Sequence, residues 1–543
     1  LAVSSSSIIV SCVSNENTPA VVFNFNFLLP LSACFSVTTP GPNLHLLLLY
    51  SISIASTGRR NVAAKNFSYG TTMTQPDLTC SSPPHWRVAV IGSGPSGFYA
   101  GGELLKQQEM PVKVDLFDRL PTPYGLVRGG VAPDHQKIKA VCKIFDRIAG
   151  QEHFRYFGNV EFGRDLNRSE MLDHYDAVLY TVGSRSDRKL RIPGENLEGS
   201  HSATEFVGWY NAHPDYRDKR FNLDSEQAVI IGMGNVAIDV ARILSHRNEE
   251  LAKTDISDEA LSALASSRVK DIWIIGRRGP VQAAFTPVEA RELMHLPETE
   301  VVFEADALDL DPASQRFLQE EAGKDTRKNI DLLKEMLEKP PREKKKKLHI
   351  LFLASPVEIV GEQGKVSSIK LRRNQLVEKP DGSFRAEGTD RMLELKTGLV
   401  FRSVGYRGEP LPGLPFDEKS GTIPNEQGQI LEGESFCPRE YTAGWIKRGP
   451  SGVVGTNKPD GIESVKKMLS TLNSSGKKPL ETEQVPDISQ LLRNREVDFV
   501  SFQDWKLLED YETIAGEAEA RPRKKVGTVK EMMEVVHLSL IHI

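Results

Sequence analysis

From Arg87 onward the apolar and polar positions of the chain alternate between two periods. "RVAVIGSGPSGFYAGGELLKQ" (87–107) is a short apolar run, a glycine-rich turn and then helical spacing. "VKVDLFD" (112–118) alternates in strand fashion and ends on an acid, and "YDAVLYTVG" (175–183) is a further apolar run. "QAVIIGMGNVAIDVARILS" (227–245) repeats the strand, glycine turn and helix, and "VKDIWIIG" follows at 269–276. Strands alternating with helices imply parallel sheets in α/β layers. A charged insertion spans about 247–268, and a polar helical stretch between 313 and 350 ends in "PPREKKKK". Short alternating strands such as "VSSIKLRRNQLV" are expected over 350–400. After residue 475 the chain turns polar and reads as a solvent-facing tail or covering arm.

The first 80 or so residues are different. They are rich in Ser, Asn, Thr and Leu, lack any acid between Glu16 and Asp77, and carry Arg59, Arg60 and Lys65. That is the composition of an organelle transit peptide, or of leader sequence read through in frame. "LHLLLLYSISIA" (44–55) is too short for a membrane span. Across the whole chain, 543 residues with 39% hydrophobic and 26% charged residues allow two or three full-sized cores. The net charge of -5 excludes a strong field for nucleic acid. Five scattered cysteines contain no C-x-x-C pair, and beyond residue 83 only Cys142 and Cys437 remain. Two are too few to ligate an iron–sulfur cluster.

The first glycine turn, Gly92-Ser93-Gly94-Pro95-Ser96-Gly97, fits G-x-G-x-x-G, with Asp118 ending the next strand 21 residues after Gly97. Gly92 serves the tight turn, Gly94 the close approach of a pyrophosphate, and Gly97 helix–strand packing. Asp118 is placed to accept from ribose hydroxyls. The second turn, Gly232-Met233-Gly234-Asn235-Val236-Ala237, is the G-x-G-x-x-A form. Here the strand that should end on an acid ends on Gly276-Arg277-Arg278. An acid suits an unphosphorylated ribose, whereas guanidinium forks match a 2′-phosphate. The two turns, about 140 residues apart, therefore suit FAD first and NADP second. That pairing converts hydride transfer into single-electron delivery.

Five blocks are more specific than any glycine turn: "PYGLVRGGVAPDH" (123–135), "GNVEFGRD" (158–165), "GMGNVAIDVARIL" (232–244), "GRRGPVQAAFT" (276–286) and "GWIKRGPSGVVGTN" (444–457). Through them the sequence resembles the adrenodoxin reductase family of ferredoxin–NADP reductases over roughly 87–470. The resemblance implies two interleaved Rossmann-like domains. A discontinuous FAD domain would occupy 84–186 and 401–490, and an inserted NADP domain 187–400. Residues 1–83 would be leader and 491–543 a C-terminal arm or tail. It implies FAD contacts at Ser96, Asp118, Leu126, Phe162, Trp445, Gly452, Val453 and Val454, beside Gly92, Gly94 and Gly97. It implies NADP contacts at Gly232, Met233, Gly234, Asn235, Val236, Arg277, Arg278, Glu289 and Gly452. Asp118 stands where the family usually has Glu, and Ser96 where it usually has Ala. Asp134 and His135 of "APDH" are candidates to face the flavin or nicotinamide. Lys447 and Arg448 are candidates to stabilise charge on reduced flavin.

The activity implied is an NADPH:adrenodoxin-type ferredoxin oxidoreductase in the mitochondrial matrix. It would act as a monomer with at most peripheral membrane association, passing electrons to a small acidic two-iron two-sulfur ferredoxin. Arg327, Lys328 and Lys334, with Lys344 to Lys347, are the candidate docking cations. Two alternatives share the two-nucleotide plan. A thioredoxin-reductase-like enzyme would need the absent C-x-x-C dithiol, and a glutamate-synthase-small-subunit-like enzyme carries a Cys-rich N-terminal domain not seen here.

Overall fold

The computed structural model describes residues 85–340, 343–476, 478–480 and 485–541, together with an antiparallel ladder of Ser7–Val10 on Phe23–Asn26. Apart from that ladder, the segment read as leader (1–83) lies outside the described residues.

Continuous apolar runs become central parallel strands because both of their faces are covered. In Trp86–Ile91, Val88 and Val90 enter one apolar cluster while Ala89 and Ile91 enter another. In Gln227–Ile231, Ala228 and Ile230 likewise face one cluster and Val229 and Ile231 a second. Two sheets result. The first has seven strands in the order Asn425–Glu426, Gln429–Glu432, Ser435–Thr442, Ala177–Tyr180, Trp86–Ile91, Val112–Phe117, Phe154–Phe157. Its last five are parallel neighbours, and the first two complete the edge antiparallel. The second has six strands, all parallel: Thr299–Phe303, Lys346–Leu351, Asp271–Ile275, Gln227–Ile231, Leu399–Arg402, Ser200–Ser202. The first sheet thus draws strands from both sides of the second. The chain leaves at Ser186–Asp187 and returns at Tyr406–Arg407, and these two crossings pair antiparallel.

Three expectations change. The inserted domain's last strand runs to Arg402, just past the expected edge at 400. The 350–400 region holds long strands, not short ones: Ala354–Glu362, Lys365–Glu378 and Phe384–Lys396 form a separate antiparallel sheet. The third narrows the reading of the C-terminal stretch from tail or covering arm to covering arm. Helix Phe502–Glu517, opened by a Ser501–Asp504 capping box, puts Trp505 and Leu508 into the first domain's core. Trp505 is 0% exposed, donates to the Tyr124 hydroxyl at 3.2 Å, and has the Arg128 guanidinium 5.2 Å from its ring. Farther on, Arg521 reaches Asp258 of the inserted domain. An isolated amphipathic helix gains its stability by docking, so polarity alone did not reveal it. Trp505→Ala is expected to lower unfolding free energy by about 3–5 kcal/mol in denaturant titration. A loss under about 1 kcal/mol, the scale of a surface change, would mean the arm is peripheral. Among the described residues no helix is long and apolar enough to cross a membrane.

Candidate functional site

A cleft of about 860 Å³ opens where the parallel strands of both sheets end. Its walls include Gly94 and Asp118 after strands of the first sheet, Asn235 and Val236 after a strand of the second, and Tyr406 from the return crossing. The carboxyl ends of parallel strands are where open α/β sheets bind ligands.

The first turn has the shape its glycines predict. Gly92 takes φ +109°, and a Cβ there would lie 2.7 Å from the Thr181 backbone. A Cβ on Gly97 would come within 2.2 Å of the Gly92 carbonyl oxygen, so the helix and turn touch directly. Beyond its own and adjacent residues, Gly94 has no described atom within 4 Å of where its Cβ would be, leaving bare backbone facing the cleft. The helix Pro95–Leu104 starts there without a side-chain cap, so its first N–H groups are available to an anion. Asp118 is clamped: its carboxylate accepts from Ser93 N at 2.9 Å, Ser93 Oγ at 2.5 Å and Leu120 N at 3.0 Å.

In the second turn Gly232 takes φ +142°, with Ser403 O only 2.0 Å from a Cβ position, and Gly234 again faces open space. Ala237, fully buried, replaces the third glycine. Asn235 and Val236 line the cleft, whereas Met233 packs under Gly276 and against the core. Met233 therefore supports the turn with its side chain. Gly232 donates its N–H to Ile275 O at 2.9 Å, which sets the end of the neighbouring strand beside the turn. Arg277 and Arg278 follow at once, the first exposed and the second half-buried. Among the described residues neither guanidinium meets a carboxylate. Burial and then the adjacent Arg277 charge push Arg278 below its ordinary value. Two cations without an acid, next to a nucleotide-type turn, form a site for a dianion.

Across the cleft, Trp445 packs 5.3 Å from the Tyr406 ring and donates Nε1–H to Ser451 O at 3.1 Å. Gly452 (φ +78°), Val453 and Val454 line the same wall, as does Leu126. This loop is shaped by Arg448, which donates to Ser451 O at 2.5 Å and Asn457 Oδ1 at 3.0 Å. Asn457 Oδ1 also accepts from Ser96 Oγ at 3.1 Å, tying the loop to the first helix. Lys447 is buried on Asp460, Glu463 and Ser464 Oγ. The two cations are thus framework for the loop, not free charges aimed into the cleft. Phe162 is absent from the residues that line the cleft. Its ring stacks edge-on with Tyr180 at 5.4 Å in an apolar cluster outside the cleft lining.

Between the two turns lies a polar cluster that sequence reading only half identified. His135 and Glu289 line the cleft, and His135 Nε2 sits 2.7 Å from Glu292. Asp134 does not line it. Its carboxylate accepts from Arg242 Nε at 2.6 Å and Nη2 at 3.0 Å, and it contacts His246. Arg242 also donates to Asp239 and Glu289 and reaches Glu292 at 3.0 Å. Arg242 and Asp239 stand three apart inside the apolar "AIDVARIL" helix, the one signal that could have exposed them. Ligand atoms of His135, Glu289 and Glu292 lie within 4.8 Å of one another, but the guanidinium already supplies their cation.

One guanidinium cannot neutralise four carboxylates. Asp134, despite burial, is held well below the usual carboxylate range by His246 and Arg242. Glu289, pushed by burial and then by Asp239, rises to about 7 although Arg242 donates to it. Burial pulls His135 down, but its bond to Glu292 outweighs this and the net direction is up. Both groups hold a proton in the folded state that the unfolded chain releases earlier. Their stabilisation is full below the unfolded values, about 4.3 for Glu and 6.5 for His, and is lost as pH rises through the folded ones. The melting temperature is therefore expected to fall between about pH 5 and pH 8. Glu289→Gln should flatten that slope on a thermal melt series, and an unchanged slope would remove Glu289 from the account.

The expected docking cations divide. Arg327, Lys328 and Lys334 are exposed on helix Lys324–Glu338, and Lys328 borders the cleft. Arg327 donates to Gln319 O. In the lysine run, Lys344 Nζ donates to Leu296 O and Thr299 O, and Lys346 Nζ to Leu244 O at a helix end. Those two ammoniums satisfy backbone carbonyls and are withdrawn from any docking surface.

No protein-family profile matches the chain. It is 44% identical over 461 residues to NADPH-ferredoxin reductase FprA of Mycobacterium tuberculosis, spanning 82% of this chain and 98% of that protein. It is 38% identical over 470 residues to the mitochondrial NADPH:adrenodoxin oxidoreductase of Arabidopsis thaliana, spanning 83% and 95%. The structure of M. tuberculosis FprA in complex with NADPH superposes with a TM-score of 0.79 at 42% identity, covering 83% of this chain and all of that one.

Proposed function

Because the chain belongs to the adrenodoxin reductase family of NADPH-dependent ferredoxin reductases, we propose that its cleft holds FAD on the first glycine turn and NADPH on the second, for electron delivery to a ferredoxin. The protein is an NADPH:ferredoxin oxidoreductase. The observation that carries the reading is the placement of two nucleotide-type turns on one cleft, with the unpartnered arginine pair beside the second only.

The residues present fit both groups. Gly94 and Gly234 leave bare backbone where a Cβ would stand, and Ser184 Oγ, buried on the cleft wall, has no hydrogen-bond partner among the described residues. Gly94 and the helix behind it would hold a pyrophosphate, Asp118 a ribose, and Trp445 with Gly452–Val454 the isoalloxazine edge. Asn235, Val236 and Glu289 would meet NADPH, and Arg277 and Arg278 its 2′-phosphate. When bound, FAD supplies the conversion of a two-electron donor into one-electron steps. The chain's own residues bind, orient and enclose. Hydride transfer needs no strong base, so His135 and its carboxylate neighbours act on alignment and charge at the cleft wall.

The purified protein is expected to be yellow and to reduce cytochrome c with NADPH only when a ferredoxin is added. A colourless protein, or equal turnover with NADH, would overturn the reading. The finer partner is an acidic two-iron two-sulfur ferredoxin, docking on Arg327, Lys328 and Lys334. Charge at that surface makes the ferredoxin-dependent rate fall with ionic strength. The enzyme works as a monomer, at most peripherally associated with membrane, in the mitochondrial matrix. The acid-poor, Ser- and Arg-bearing leader supports that location, and the Arabidopsis relative is named as mitochondrial.

A further inference from the structure

The backbone of the arginine loop is held at three consecutive carbonyls. Ala354 N–H donates to Gly276 O at 3.0 Å and Leu353 N–H to Arg278 O at 3.2 Å. Between them, Asn374 Nδ2 donates to Arg277 O at 2.8 Å. The outer two bonds come from main chain and are open to almost any sequence. The middle one depends on a single side chain.

Asn374 is itself fixed from several directions. Its backbone N–H donates to Leu353 O at 2.7 Å, and its Nδ2 also donates to Ser355 Oγ at 2.8 Å. It lies on the Lys365–Glu378 strand at the point where pairing with Phe384–Lys396 shifts register, between Arg372 and Asn374. Such irregularities re-aim side chains. Leu353, whose N–H and C=O both serve this network, takes φ +56°, an uncommon conformation for a bulky residue. Strain of that kind persists where surrounding bonds over-determine it, and is a pointer to function. The adjoining Leu376 comes within 3.3 Å of where a Cβ on Gly279 would stand, closing the far side of the loop.

We propose that Asn374 is a positioning residue for cofactor choice: by fixing the Arg277 carbonyl it holds the backbone from which both guanidiniums reach the adenosine 2′-phosphate. This rests on the assignment of the arginine pair to that phosphate. Asn374 acts through the loop, its side-chain amide donating to the Arg277 carbonyl and to Ser355 Oγ. The accessory antiparallel sheet, which supplies no residue to the cleft lining, thereby acquires a role in discriminating NADPH from NADH.

The test is steady-state kinetics of Asn374→Ala and Asn374→Asp holoenzymes with NADPH and with NADH, alongside binding of 2′-AMP and 5′-AMP. Loss of one hydrogen bond predicts a rise of about five- to tenfold in KM for NADPH. Affinity for 2′-AMP falls by a similar factor, whereas kcat, the NADH kinetics and 5′-AMP binding stay unchanged. Asn374→Asp, which keeps the size but removes the donor and adds a negative charge, shows the same selective loss or a larger one. Equal shifts with both nucleotides, or none, in variants that retain their flavin would overturn the proposal. Arg278→Ala measured in parallel separates the two levels. If it loses NADPH selectively while Asn374→Ala does not, the positioning role fails and the phosphate assignment stands. If it too is unselective, the phosphate assignment fails and the positioning role falls with it.

Discussion

Arg277→Ala combined with Arg278→Ala raises the KM for NADPH by about two orders of magnitude and leaves NADH nearly untouched. Charge-assisted hydrogen bonds contribute about 1.5–3 kcal/mol each, and every 1.4 kcal/mol is a factor of ten. Losing one strong contact from each guanidinium therefore costs at least a hundredfold for a nucleotide carrying the 2′-phosphate. The structure supports a selective effect, because neither side chain is spent on a carboxylate among the described residues. Arg278 is already penalised by burial and by its neighbour, so its charge is better satisfied by a dianion than by solvent. The measurement is the ratio of kcat/KM for NADPH and NADH before and after substitution. If both nucleotides weaken together, the pair is scaffold for the loop and the selectivity lies elsewhere.

Flavin binding responds just as strongly to two glycines, and in distinguishable ways. Gly94→Ala places a methyl group in open space on the cleft wall, in a backbone conformation (φ -73°) that alanine accepts. The apoprotein should fold with unchanged stability yet bind FAD poorly, since the methyl takes the position a pyrophosphate must approach. Gly97→Ala drives its methyl to within 2.2 Å of the Gly92 carbonyl, so the helix must move off the turn. Overpacking of this kind costs about 1–3 kcal/mol, and the displaced helix start no longer points at its anion. Gly97→Ala should therefore lose both flavin and stability. Absorbance of the purified proteins near the flavin bands, with denaturant curves of the apoproteins, gives both readouts. Full flavin content in Gly94→Ala would show that this backbone does not face the cofactor.

Much of the cleft was legible in the sequence because its parts are local. A glycine that must take positive φ and a helix that must start bare lie within a few residues of one another, and an acid or arginine ends the next strand of the same unit. Their spacing carries their geometry. Gly92, Gly94, Gly97, Asp118 and the Gly276-Arg277-Arg278 run are all of this type. The packing of Phe162 was not legible, for the opposite reason. Its neighbour in space, Tyr180, lies on another strand, and nothing in "GNVEFGRD" says which side of the wall an aromatic ring will take.

The residues that were missed are partners distant along the chain from the groups that were named. Asp134 is set by Arg242 and His246, Lys346 by the carbonyl of Leu244, and Arg277 by Asn374. In each case the charge or carbonyl was plain and its partner was not. Sequence alone determined that this chain builds two parallel-stranded nucleotide folds, and that only the second ends in cations suited to a phosphate. Periodicity and turn chemistry are enforced by the backbone over short distances. Tertiary structure decided which charges are free to meet a ligand and which are consumed by the fold. It also decided that a polar C-terminal stretch would bury a tryptophan. Both depend on burial and pairing between segments, quantities that exist only once the chain has packed.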